Sequence, residues 1–258
     1  YSNEKDMGFY SELSTLEGKH LLDDLADFWV PVILFSGGEP LMRKDLPELA
    51  EYAVKKGMRA VISTNGTLIT PEKAQTLKKI GLSYVGISLD GMEEINDRFR
   101  GVKGAFKAAL QGIENCKNAG IKVGLRFTIN KSNSAEIAKI FELLEDIEIP
   151  RSCFYHLVYA GRGTELVKED LSHEESRNAV DLIMDLTKQL HDKGLSKEVL
   201  TVDNHADGPY LYYRLLKEDP ARAAEVLKLL SWNLLWIWTS RFCNFETKNI
   251  IWLRTHPE

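Results

Sequence analysis

The sequence predicts an α/β fold built on a parallel sheet. Three observations carry this. Short apolar runs of strand length alternate with amphipathic helical segments from Val30 to Val158. Helical segments close on glycines such as Gly57, Gly81 and Gly120. The turns that follow the first three strands combine glycine with hydroxyl, amide and carboxylate residues. Right-handed crossovers curl consecutive parallel strands into an open or closed barrel.

Each element has its own local reason. Ser14-Thr15-Leu16-Glu17 is a capping-box pattern, and Leu21, Leu22, Leu25, Phe28 and Trp29 follow at helical spacing. Val30 to Phe35 is a continuous apolar run, which predicts a strand buried on both faces. Asp45 to Lys56 is an amphipathic helix, and Met58 to Ser63 the next strand. Thr70 caps a helix from Pro71 to Ile80, with proline at the first position and Gly81 as the stop. Leu82 to Leu89 is a strand, Gly104 to Ala119 a helix and Ile121 to Ile129 a strand. Ser134 to Ile147 is a helix and Cys153 to Val158 a strand. After Gly163 the alternation gives way to a long helix, His173 to Lys193, and a further strand, Glu198 to Val202. A second helical stretch, Pro209 to Leu230, is broken by Pro220. From Ser231 the composition shifts: Trp232, Trp236, Trp238 and Trp252 are four of the five tryptophans, and no period is evident.

Composition narrows the function. The chain has 258 residues, 44% hydrophobic and 28% charged, enough to bury one barrel-sized core. That excludes a disordered chain, a collagen and a disulfide scaffold. A net charge of −5 argues against a nucleic-acid surface. Cys116, Cys153 and Cys243 are widely spaced and odd in number, which fits a reducing compartment and forms no closed metal set. The first residues are too polar for a signal peptide, and the longest apolar run, Leu229 to Trp238, is too short for a bilayer. The expected location is the cytoplasm, with no membrane partner.

In parallel α/β folds, ligands bind at the carboxyl ends of the strands. There the sequence places Ser36-Gly37-Gly38-Glu39-Pro40, Ser63-Thr64-Asn65-Gly66-Thr67 and Ser88-Leu89-Asp90-Gly91. Glu39 offers an acceptor for a cationic amine, and glycines let a ligand approach the backbone. Any one of these is as well read as an ordinary turn; three on one rim point to a site.

Gly37-Gly38-Glu39-Pro40 resembles the GGEP motif of radical S-adenosylmethionine (SAM) enzymes, and the other two turns resemble that family's patterns after its third and fourth strands. The likeness covers about residues 1–165. It implies a partial (β/α)6 TIM-like barrel, lacking its first strand, with extra C-terminal helices. It also implies that Gly37, Gly38, Glu39 and Pro40 hold the methionyl amine of SAM. Thr64, Asn65, Ser88 and Asp90 would meet its ribose or carboxylate, and Arg126 would offset the carboxylate charge. The family uses a [4Fe-4S] cluster on a CxxxCxxC loop and an electron donor such as ferredoxin or flavodoxin.

A narrower resemblance, reaching about residue 230, is to the tetrapyrrole-modifying branch. It rests on Asp97-Arg98-Phe99-Arg100-Gly101, Phe154 to Gly163 and Thr201 to Gly208. It implies a siroheme-derived macrocycle whose side chains are removed or remodelled. Arg98 and Arg100, in the loop after the Asp90 turn, and Arg162, between two glycines, would grip its carboxylates. His156 and His205, near strand ends, would ligate its iron or donate a hydrogen bond; a structural histidine is an equal reading of each.

The sequence departs from the family in two ways. In relatives a tyrosine follows the last cluster cysteine, and here Tyr1 is the first residue; the tail from Ser231 does not resemble the cysteine-bearing C-terminal domain. The reading is therefore a truncated enzyme with no metal ligands of its own, and weak SAM binding. Its expected parts are a barrel core (1–165), a helical extension (166–230) and an atypical tail (231–258). Cys116, on a helix face with Leu110 and Ile113, and Cys153 read as core thiols, while His20, His173 and His191 sit in helical patterns at or near the surface. Three rivals remain: a peptide-modifying radical SAM maturase, a non-catalytic fragment, and a metal-dependent hydrolase. The hydrolase would need paired histidines and carboxylates at strand ends, which the six histidines do not form.

Overall fold

The computed structural model describes residues 12–159, 166–239 and 251–252, with side chains up to residue 231. The chain divides into two compact units, residues 1–126 and 127–258.

The first unit begins with α1 (Thr15–Asp27). The predicted capping box forms: the Ser14 hydroxyl accepts from the Glu17 amide, and Glu17 accepts from the Ser14 amide at 2.8 Å. Leu22 and Leu25 face inward, but Phe28 and Trp29 are 75% and 89% exposed as the chain leaves the helix. β1 (Val32–Phe35), α2 (Leu46–Lys55), β2 (Arg59–Thr64), α3 (Pro71–Lys79) and β3 (Tyr84–Ser88) follow. α4 (Glu93–Arg100), α5 (Ala105–Asn118) and β4 (Lys122–Thr128) complete the series. Strands β1 to β4 pair in chain order and all in parallel.

The strand register sorts the side chains into two faces. Ile62, Val85 and Val123 share one row, and Thr64, Ile87 and Leu125 the next; all are buried. α2 packs on β2 and α5 on β3, and burying a side chain such as Ile62 or Ile87 contributes about 1.5–3 kcal/mol. On the opposite face lie Leu34, Ser63, Tyr84, Ser88 and Arg126, all half-buried. The helices thus cover one face and leave the other partly open.

Two corrections concern this unit. β1 is half-buried along its whole length rather than buried on both faces, because among the described residues it pairs only with β2. Arg98 and Arg100 lie on the short helix α4, not in a loop. The acidic start and basic end of that helix suit its dipole, and Gly101 closes it at a φ of 67°.

The second unit takes up the end of β4 at Phe127. A 3₁₀ turn (Ser134–Glu136) leads into α6 (Ile137–Asp146), where a single helix is expected from Ser134. β5 (Arg151–Tyr155) starts two residues before the expected Cys153 and ends earlier. α7 (His173–Asp192) has a second capping box at Ser172, and β6 (Glu198–Val202) pairs in parallel with β5. The helical stretch predicted at Pro209–Leu230 is two helices, α8 (Asp207–Glu218) and α9 (Pro220–Thr239). Pro220 therefore starts a helix, and α9 runs without a break past Ser231, where the sequence suggested a loss of period. β7 (Ile251–Trp252) lies antiparallel to β6. Phe127, Phe141 and Phe154 form the aromatic centre, with ring centroids 5.4 and 5.6 Å apart. Arg214 of α8 binds Asp181 of α7 at 2.8 Å and also reaches Asp185 and Glu218.

Candidate functional site

Glu39 sits in the turn leaving β1, and its carboxylate is the knot of the rim. Oε1 accepts from the Leu41 amide at 3.1 Å and from the Thr64 hydroxyl at 2.7 Å. Oε2 accepts from the Asn65 amide at 2.8 Å. The side chain therefore straps the exit of β1 to the exit of β2. A carboxylate has about four acceptor positions, so three protein donors leave room for one more. Gly37 has a φ of 140°, which favours glycine, and Pro40 is buried at the start of the short 3₁₀ turn that follows.

Thr64 and Asn65 are nearer to Glu39 than to open space. The Thr64 hydroxyl also accepts from the Gly66 amide at 3.0 Å, and the side chain is 3% exposed on the helix-covered face. It holds Glu39 rather than presenting itself to a ligand. The Asn65 side-chain oxygen accepts from the Thr67 amide and hydroxyl at 2.9 and 2.8 Å, which shapes the turn. Behind it, α5 approaches closely. A Cβ at Gly112 would collide with the Gly66 carbonyl oxygen and lie 3.1 Å from its carbon.

Asp90, at the exit of β3, is 2% exposed and ion-paired with Arg100 of α4. Its amide donates to the buried Asn96 side chain at 3.0 Å. The next residue of α4, Asp97, accepts from the Phe106 and Gly104 amides at 2.8 and 2.5 Å. These two bonds hold its carboxyl below the usual carboxylate range. Arg100 is thus engaged within its own unit, whereas Arg98 is exposed.

The open face of the sheet carries a feature the sequence reading missed. Gly86 of β3 and Gly124 of β4 are register partners. The Arg126 stem lies across Gly86, where a Cβ would stand 2.8 Å from its Cδ; the Tyr84 ring lies across Gly124, where a Cβ would stand 2.9 Å from its Cζ. Two facing glycines in mid-strand are a signal of close approach that the sequence does display. They let Arg126 and Tyr84 lie along the sheet, beside Ser88, which is the register partner of Arg126. Gly86→Ala is expected to swing the Arg126 stem aside while changing unfolding by less than about 1.5 kcal/mol. A urea melt checks this, and a larger loss would mean that the stem cannot yield.

In the second unit, His156 follows β5, and its Nε2 lies 2.8 Å from Asp207 Oδ2. His205 is exposed. Arg162, with Gly161 and Gly163, falls outside the described residues, as does Cys243. Cys116 is fully buried, its thiol pushed up to about 11 by desolvation, and Cys153 is buried within β5. No group of three His, Cys, Asp or Glu side chains converges to hold a metal ion among the described residues. These residues do not fit a [4Fe-4S] cluster, which needs several thiolates. No described helix is long and apolar enough to cross a membrane.

The model of the radical SAM superfamily matches residues 1–144. The Fe-coproporphyrin III synthase of Methanosarcina barkeri is 70% identical over 233 residues, 90% of this chain and 58% of its own length. The pre-heme d1 synthase of Dinoroseobacter shibae is 41% identical over 211 residues, 81% of this chain and 52% of its own. The chain spans little more than half the length of these two relatives. Among solved structures, Streptococcus suis SuiB bound to S-adenosylmethionine matches with a TM-score of 0.66 at 17% identity. The match covers 78% of this chain and 46% of SuiB, and the likeness is one of fold.

Proposed function

The chain belongs to the radical SAM superfamily, and we propose that it remodels side chains of a siroheme-derived iron tetrapyrrole with SAM held on the open face of residues 1–126. The observation that carries the cofactor half is the Glu39 carboxylate, fixed by three donors with one acceptor position left. A methionyl ammonium fits that position as a charge-assisted donor. Gly37 leaves room beside it, since a Cβ there would meet nothing within 4 Å. Thr64 and the Asn65 amide keep the carboxylate aimed. Arg126 and Ser88 on the open face suit the cofactor's carboxylate and hydroxyls, and Asp90 with Arg100 holds the third turn in place. When bound, SAM supplies the hydrogen-abstracting radical characteristic of the superfamily, and ferredoxin or flavodoxin is the expected electron donor. The chain's own residues bind, orient and exclude water.

The substrate half is supported by the two relatives, whose names place them in tetrapyrrole chemistry. A flat macrocycle rich in carboxylates calls for fixed cations beside apolar surface. Arg162 is assigned that role, with His156 or His205 at the iron. The test is tetrapyrrole binding followed by absorbance. Arg162→Lys is expected to weaken binding about tenfold through loss of a bidentate grip, with SAM affinity unchanged. Equal binding by the variant, or a preference of the parent for a peptide, would favour a maturase instead.

A further inference from the structure

The ends of β5 and β6 carry a second built polar cluster. The register pairs Tyr155 with Val202, and the His156 amide donates to the Val202 carbonyl at 3.0 Å, so the two strand exits lie side by side. Asp203 then takes a φ of 69°, a left-handed conformation uncommon for a residue with a side chain. It turns the chain so that α8 begins directly beside His156. Asp207, in the first turn of α8, is 5% exposed. Its Oδ2 faces His156 Nε2, and its Oδ1 accepts from the Asn204 side-chain amide at 2.8 Å. Asn204 is fixed in turn, because its own oxygen accepts from the Ala206 amide at 3.1 Å. The helix start favours the negative charge of the carboxylate.

The imidazole is therefore gripped at one nitrogen by a buried, doubly held carboxylate. No hydrogen bond to its Nδ1 is present among the described residues, and its side chain is 15% exposed. An imidazole whose N–H is fixed by a carboxylate presents a lone pair of set direction at the other nitrogen. Proteins orient metal-binding histidines in this way. His205, two residues before Asp207, is exposed and has no such hold among the described residues. The sequence leaves these two histidines equal; the structure separates them.

We propose that His156 is the axial ligand to the iron of the tetrapyrrole substrate, through Nδ1, and that Asp207 and Asn204 are its positioning residues. This rests on the tetrapyrrole reading of the substrate. Ligation forms one bond from the imidazole lone pair to iron and requires no oxidant, reductant or leaving group.

The test titrates the chain with ferric coproporphyrin III and with the metal-free macrocycle, following the Soret band and the electron paramagnetic resonance of the iron. The parent is expected to bind the iron form about tenfold more tightly and to give a nitrogen-ligated ferric signal. His156→Gln keeps a donor for Asp207, so the cluster stays satisfied, but it is expected to lose that signal. Free imidazole added to His156→Ala should restore it. Asp207→Asn should weaken the iron form about tenfold with little effect on the metal-free form. If both macrocycles bind equally and His156→Gln leaves the iron signal unchanged, the ligation is wrong and the tetrapyrrole reading stands. If neither macrocycle binds, both fall.

Discussion

Glu39→Ala is expected to destabilise residues 1–126 by about 2–3 kcal/mol and to remove measurable SAM binding. The truncation strips the acceptor from the Leu41 and Asn65 amides and from the Thr64 hydroxyl. A buried donor left unpaired costs about 1–3 kcal/mol, and the half-buried position lets water recover part of that. Glu39→Gln separates the two roles. It keeps one oxygen for the protein donors, so its stability cost should be near 1 kcal/mol, but it lacks the charge that an ammonium needs. Urea unfolding and calorimetry with SAM read the two effects independently. A Gln variant that binds SAM like the parent would reduce Glu39 to a structural strap.

Gly112→Ala is the other large effect expected, about 3 kcal/mol. Alanine is the better helix former and would ordinarily stabilise mid-helix. Here its methyl group would meet the Gly66 carbonyl, a backbone group with no rotamer to yield. That carbonyl also accepts from the Ile69 amide at 3.2 Å, so pushing it distorts the Asn65–Gly66 turn. α5 would have to retreat from β3, exposing a seam that includes the buried Ile87 and Ala109. A urea melt showing less than about 1 kcal/mol lost would mean that the helix slides without cost, against close packing in the core.

The α/β alternation was legible because each unit announces itself locally. Apolar runs, capping residues such as Ser14 and Thr70, and stops such as Gly81 need no knowledge of the rest of the chain. α4 was not legible, since only Ile95 and Phe99 are apolar among its eight residues and no helical stripe can be read from two. The half-burial of β1 escapes the sequence for a related reason. A continuous apolar strand looks the same whether or not a further strand covers its edge.

The candidate site divides along the same line. Glu39 could be named from the residues around it, but not its hold by Thr64 and Asn65, which depends on β1 lying beside β2. The resemblance assigns Thr64 to the ligand; in the structure its hydroxyl donates to Glu39 and accepts from the Gly66 amide. The partnership of His156 with Asp207 spans 51 positions and exists only because β5 and β6 end level. The Gly86–Gly124 pair was visible as two mid-strand glycines, but its meaning came from register.

α4 has a consequence for how this unit breathes. Its Asn96 holds the Asp90 amide, its Arg100 holds the Asp90 carboxylate, and its Asp97 holds the Gly104 and Phe106 amides that open α5. All of these bonds run to side chains of one short helix. Unfolding of α4 would therefore release the exit of β3 and the entrance of α5 together. The shortest α-helix of the unit is thus the latch that ties the third turn of the rim to the start of α5.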